Sequence, residues 1–243
     1  MKEKDKIILC GDLHGKWRYL SQIIERLKLT DSYIIQVGDF GIGMLDDIHS
    51  SMEYYKYGIT NYDKQRLKLL NNQFQETNNY LYAIRGNHDN PKYFDLDNPH
   101  NNHSNIKLLP DFTELNLLGK KILLVGGAIS IDRNDLKLNI DYWESEKFKL
   151  QEDFTYNKYD LVVTHSRPGY FGSYVQSDFY KYCIKRDRQL IPDLEAEKQL
   201  LNQLFDRTRP ADWIYGHFHA SVKGVYENTN YRCLDINELI QYY

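Results

Sequence analysis

Five short apolar runs in this chain each end at a histidine, or at a glycine joined to aspartate, asparagine or histidine. Ile7-Ile8-Leu9 leads into Gly11-Asp12-Leu13-His14-Gly15, residues 33–37 into Gly38-Asp39, and residues 80–84 into Arg85-Gly86-Asn87-His88-Asp89. Residues 160–164 end at His165, and Trp213-Ile214-Tyr215 opens onto Gly216-His217-Phe218-His219. Between the first three runs lie residues of helical spacing: Trp17, Leu20, Ile23, Ile24 and Leu27, then Leu67, Leu70 and Phe74. A near-continuous apolar run is a strand buried on both faces, and parallel strands of that kind need helical crossovers between them. The pattern therefore confines the chain to an α/β architecture whose polar residues emerge at the carboxyl ends of the strands, where open α/β sheets carry their chemistry.

The later part of the chain changes character. Residues 106–109, 112–117 and 121–125 read as short strands, the last two joined at Gly119-Lys120 in a hairpin. Residues 222–227 and 231–235 read as a closing hairpin over Asn228-Thr229-Asn230. A mixed second sheet packed on the first follows, in a single domain spanning residues 1–243. Helices are expected over residues 16–29, 63–76, 146–152 and from Pro192 to about residue 207. Residues 42–62 read as a surface excursion with at most a short helix. Residues 95–105, with His100 and His103, read as a solvent-exposed loop. Residues 170–190 have no clean period and carry Lys181, Lys185, Arg186 and Arg188, which reads as a solvated loop or, more sharply, as a flap bringing positive charge to an anionic substrate.

Charge and cysteine usage narrow the setting. A formal net charge of -3 excludes a protein that holds nucleic acid or membrane by bulk positive charge. No apolar run approaches the roughly 18 residues of a membrane span, and no signal peptide is legible at the charged start. Cys10, Cys183 and Cys233 are too few and too far apart for a disulfide framework or a zinc knuckle. A cytoplasmic, reducing setting is expected, with nucleic acid entering only as a substrate.

Collected by strand end, the polar residues are Asp12 and His14, Asp39, Asn87 and His88, His165, and His217 and His219, so five of the eight histidines occupy these positions. Residues i and i+2 of an extended segment point to the same side, so Asp12 and His14 can present an oxygen and a nitrogen donor to one point, as half of a metal site requires. The blocks D-x-H, G-D, G-N-H-D, a lone H and G-H-x-H, in this order, resemble the calcineurin-like metallophosphoesterase superfamily over nearly the whole chain. The resemblance implies a sandwich of two mixed β-sheets flanked by helices. It also implies two divalent cations, one on Asp12, His14 and His219 and the other on Asn87, His165 and His217, with Asp39 bridging them. His88 takes the family position that contacts the phosphate and protonates the leaving oxygen. The chemistry implied is hydrolysis of phosphate esters by a hydroxide made on the metal pair. With no thiolate among the ligands, manganese is the first expectation, with iron, zinc, nickel or magnesium also accommodated.

The second block departs from the phosphoprotein phosphatase pattern G-D-x-x-D-R-G, reading Gly38-Asp39-Phe40-Gly41-Ile42-Gly43-Met44. Ile42 stands where an aspartate supports the catalytic histidine, and the phosphate-binding arginine is missing. Asp89 or Asp132 is expected to steady His88 instead, and Arg133 or Arg167 to contact the phosphate, with Arg85 a weaker candidate because its strand buries it. The leading expectation is a phosphomonoesterase acting on a phosphoprotein or phosphorylated metabolite. The G-H-x-H block supports the alternative of a phosphodiesterase, nuclease or dinucleoside polyphosphate hydrolase acting on nucleotides. A binding scaffold without catalysis is the reading from another class.

Overall fold

Alternation inside the apolar runs decides the layering. In β1 (Lys6–Cys10), Ile7 and Leu9 point to one side and Ile8 and Cys10 to the other, and all four are buried. The computed structural model, which describes residues 3–43, 61–98, 101, 103–172 and 177–243, shows what each side meets. Ile7 and Leu9 join Ile35, Val37 and Ile84 against Ile122, Leu124, Leu161, Val163 and Ile214 of a second sheet. Ile8 and Cys10 join Ile34, Leu81 and Ala83 beneath α1 (Trp17–Leu27) and α2 (Asn61–Glu76), whose Leu20, Ile24, Leu67, Leu70 and Phe74 close the outer layer.

The first sheet has the order β11-β1-β2-β3-β4. Here β2 is Ser32–Gln36, β3 Tyr80–Ala83, β4 Ile106–Leu108 and β11 Leu239–Gln241. Its strands are parallel except β11, which runs antiparallel to β1. The second sheet has the order β5-β6-β7-β8-β10-β9, built from β5 (Thr113–Leu117), β6 (Lys120–Val125), β7 (Leu161–Thr164), β8 (Asp212–Tyr215), β9 (Val222–Tyr226) and β10 (Thr229–Cys233). Its central pairs are parallel and its two edge pairs antiparallel. Leu123, Val125, Val162, Trp213 and Tyr215 face outward onto Leu201, Leu204 and Phe205 of the helix over Leu190–Thr208. The result is the expected two mixed sheets, face to face and flanked by helices.

Three local expectations are corrected. Residues 178–186, read as loop, form α3 (Asp178–Arg186), capped by the Ser177 hydroxyl accepting from the Tyr180 amide, with Asp178 in the first turn and Lys185 and Arg186 in the last. Of its residues only Cys183 is buried, against Ile129 and Leu190, so the helix adds almost nothing to the core. The helix over Leu190–Thr208 is α4; it begins two residues before Pro192. The helix expected over residues 146–152 is only a 3-10 turn, Glu144–Glu146. There the Glu146 carbonyl accepts from the Ala128 amide and from Arg85, which draws the backbone away from a helical path. The excursion expected at residues 42–62 lies mostly outside the described residues, as does His100.

Candidate metal centre

Each proposed ligand stands just beyond the carboxyl end of a parallel strand, and β1, β2 and β3 of one sheet meet β7 and β8 of the other there. Asp12 follows β1 and is fully buried; its Oδ2 accepts the His217 amide at 2.9 Å. Asp39 follows β2, also fully buried, and its Oδ1 accepts the His88 amide at 2.8 Å. The chain reverses sharply at these points. His14, Asp39, His217 and His219 all take positive φ values between 45° and 67°, a region rare for residues other than glycine. Glycine is required beside them for a different reason: a Cβ on Gly86 would lie 2.0 Å from Asp39 Oδ1, and one on Gly216 would lie 2.1 Å from Asp12 Oδ1.

The donors converge as two groups that share Asp39. Asp12, His14, Asp39 and His219 form one, and Asp39, His165 and His217 the other, with the ligand atoms of each within 4.8 Å of one another. His14 Nε2 lies 3.0 Å from His219 Nε2 and 3.8 Å from Asp39 Oδ2. His219 Nε2 is 3.3 Å from Asp12 Oδ2. In the second group His165 Nε2 is 3.2 Å from Asp39 Oδ1 and 3.1 Å from Asn87 Oδ1, which brings Asn87 to the same place. His165 Nδ1 is 2.9 Å from the Val37 carbonyl, the outer contact that orients a metal-ligating imidazole.

The electrostatics are those of a cation site. Asp12 Oδ1 and Asp39 Oδ2 are buried with no hydrogen-bond donor, an expensive arrangement for carboxylates unless a positive charge faces them. Burial works against ionisation of Asp39, yet His165, His88 and His14 hold it well below the usual carboxylate range. Burial pulls His165 down, but the charge and hydrogen bond of Asp39 push it up to about 9. Burial and the neighbouring His165 push His217 down to about 3, leaving a neutral imidazole with a lone pair to offer. Hard oxygen donors, the neutral imidazole of His217 and a His165 imidazole that gives up its proton to a cation fit a pair of divalent cations beside two donor-free carboxylate oxygens.

His88 sits half-buried at the rim, its ring centroid 5.2 Å from that of His14. Asp89, one of the two residues expected to steady it, has backbone partners. Asp89 accepts four backbone amides, those of Phe40, Gly41, Ile42 and Gly86, at 2.7–3.0 Å. It therefore braces the loop that carries Asp39. The arginines are likewise engaged. Arg133 places Nε on Asp187 and one terminal nitrogen on Asp193, both at 2.6 Å. Arg167 donates to the carbonyls of Pro168 and Phe171 and lies 5.2 Å over the Phe218 ring. Arg85 grips Asp111 and the carbonyls of Ser145, Glu146 and Lys147. Of the basic flap residues, Lys181 pairs with Asp178 and Arg186 with Asp135.

Two buried acids had no sequence signal. Glu146 accepts the Ser130 amide and hydroxyl at 2.7 and 2.9 Å, and Glu197 accepts the Ser166 hydroxyl at 3.0 Å. Burial is the first cause pushing them up, to about 8 and about 7.

Sheet ends converging on carboxylates and imidazoles in this order define a metallophosphoesterase. The family model of calcineurin-like phosphoesterases matches residues 5–221, and the chain belongs to that family, whose members are metal-dependent phosphoric ester hydrolases. Among solved structures, the protein TT1561 of Thermus thermophilus is similar at 10% identity and a TM-score of 0.51, covering 97% of this chain and 96% of that one. An archaeal phosphodiesterase is similar at 12% identity and a TM-score of 0.40, covering 98% of both chains. Phosphopantetheinyl hydrolase of Mycobacterium tuberculosis is similar at 12% identity and a TM-score of 0.44, covering 96% of this chain and 90% of that one. No curated protein matches. Among the described residues no helix is long and apolar enough to cross a membrane.

Proposed function

We propose that this phosphoesterase works on two divalent cations, manganese in the first instance, and that it cleaves phosphate diesters in preference to monoesters. The observation that carries the two-cation reading is the pair of donor groups sharing Asp39, with Asp12 Oδ1 and Asp39 Oδ2 buried among them without a hydrogen-bond donor. Asp12, His14 and His219 are assigned to one ion, Asn87, His165 and His217 to the other, and Asp39 to both. Such ions supply charge neutralisation at the phosphoryl oxygens and a water acidified to a pKa near 7. His88, at the rim and tied through its amide to Asp39, is assigned to the phosphate and to protonation of the leaving oxygen.

The diester preference departs from the monoester expectation. A monoester dianion carries one more charge than a diester, and a guanidinium fork is the usual complement to it. Arg133 is held by two carboxylates and Arg167 by two carbonyls, which supports a site adapted to the less charged substrate. The G-H-x-H block at residues 216–219 supports the same reading. The test is hydrolysis of a chromogenic phosphate diester and the matching monoester by manganese-loaded protein, with Asp39→Asn as the blank. Diester turnover well above monoester turnover, lost in the blank, is expected. Monoester turnover alone would return the assignment to phosphoproteins and phosphorylated metabolites.

A further inference from the structure

Behind Asn87 lie two buried side chains, Ser130 and Glu146, that the proposed chemistry leaves unused. Asn87 Nδ2 donates to Ser130 Oγ at 3.1 Å, and Ser130 Oγ donates to Glu146 Oε2 at 2.9 Å. Glu146 Oε1 accepts the Ser130 amide at 2.7 Å. Asn87, Ser130 and Glu146 are 2%, 1% and 0% exposed, so water cannot substitute for any link.

With Glu146 ionised, the direction of these bonds is forced. A carboxylate only accepts, so both of its contacts with Ser130 require Ser130 to donate. The single hydroxyl hydrogen is thereby spent on Glu146, and only lone pairs face Asn87. The Asn87 atom against Ser130 must then be the amide nitrogen, which turns the carbonyl oxygen the other way. That oxygen is the atom found 3.1 Å from His165 Nε2, beside the donor group of Asp39, His165 and His217. An amide can offer a cation its oxygen but not its nitrogen hydrogens.

We infer that Glu146 is a positioning residue which, through Ser130, fixes the Asn87 amide with its oxygen toward the second cation position. The inference rests on the two-cation reading. It makes the isosteric Glu146→Gln change harmful for a stated reason. The Ser130 amide would claim the glutamine oxygen, so the glutamine nitrogen would donate to Ser130 Oγ. The serine hydroxyl would then point at Asn87 and favour the flipped amide, with its hydrogens toward the cation. Ser130→Ala removes the relay without reversing it.

Manganese binding to the metal-stripped full chain, by isothermal titration calorimetry and by electron paramagnetic resonance of bound Mn(II), tests this, with circular dichroism confirming the fold of each variant. The wild type should bind two ions. Glu146→Gln should weaken one of them by tenfold or more, within the range for lost outer contacts of metal ligands, and Ser130→Ala should weaken the same ion less. In the Ser130→Ala background Glu146→Gln should add nothing, a coupling that a merely structural role does not produce. If the wild type binds two ions and Glu146→Gln binds both as tightly, the inference is overturned while the metal centre stands. Equal, additive losses in the single and double variants also overturn it. A wild type that does not bind two ions overturns the two-cation reading and this inference together. Should Glu146→Gln fail to fold, Ser130→Ala decides: unchanged affinity for both ions overturns the relay.

Discussion

Arg85→Lys separates a structural arginine from a phosphate-binding one. Arg85 sits in the block Arg85-Gly86-Asn87-His88, two residues from a proposed ligand, so a substrate contact is the tempting assignment. Its guanidinium meets four acceptor groups: Asp111 through Nε and a terminal nitrogen at 2.7–3.2 Å, and the carbonyls of Ser145, Glu146 and Lys147 at 2.6–3.2 Å. A lysine keeps the charge but has three donors on one atom, and a single ammonium cannot reach groups spread across the width of a guanidinium. Two of the four acceptors lose their donor on this geometry. With hydrogen bonds to charged groups worth about 1.5–3 kcal/mol each, and some relaxation, the loss is about 2–4 kcal/mol. For a chain of 243 residues this lowers Tm by roughly 5–15 °C at about 2–4 °C per kcal/mol. Differential scanning calorimetry gives Tm, and steady-state kinetics below the transition give KM. The expected result is a lower Tm with KM unchanged. A Tm within about 2 °C of wild type, together with a raised KM, would refute the structural reading and restore Arg85 to the substrate.

Arg133→Ala takes the guanidinium from Asp187 and Asp193, which it holds at 2.6 Å and which keep Gln189 and Lys147 as partners, and should cost about 1.5–3 kcal/mol in urea unfolding while KM stays unchanged; a raised KM would instead make it a phosphate contact. Glu146 has its carboxyl pushed from 4.5 up to about 8, chiefly by burial, so between those pH values the folded metal-free protein holds a proton that the unfolded chain has lost. Its contribution to stability therefore falls as pH rises through that window, by on the order of 4–5 kcal/mol at about 1.4 kcal/mol per pKa unit. Urea unfolding of chelated protein at pH 5 and pH 8.5 should show this fall, and Glu146→Gln should flatten it; an equally steep fall in the variant would sink the assignment.

The sheets were legible in the sequence because their strands are buried on both faces and carry that burial as continuous apolar runs. What escaped notice lacks such a signature. The strand β11 is three residues long and none of them is fully buried, and α3 buries only Cys183. The proposed metal ligands could be collected because each stands at a strand exit, a position that periodicity locates. Partners are another matter: sequence shows that Arg133 is charged, not that Asp187 and Asp193 lie against it. Asp89 is expected from the sequence to steady His88, and its four amide contacts instead come from backbone that only the folded loop brings within reach. Glu146 looks like any surface glutamate until the turn at residues 144–146 carries it inward to Ser130.

These outer acids give the centre its character before any cation arrives. His165 is pushed up to about 9 by Asp39, Asp89 up to about 7 by burial and by the charge on Asp39, and Glu146 up to about 8 by burial, with Asp39 contributing. One carboxylate thus appears in all three shifts. Asp39 is held ionised by the imidazoles around it, and its uncompensated charge raises the proton affinity of the groups nearby. A divalent cation on Asp39 would offset that charge at His165 and Asp89, where Asp39 is the leading charge effect; at Glu146 burial and Glu197 both outrank it. Ionised Glu146 is the form that accepts both bonds from Ser130 and turns the Asn87 oxygen outward. The amide orientation that the second donor group needs therefore belongs to the high-pH side of the Glu146 titration, above about 8.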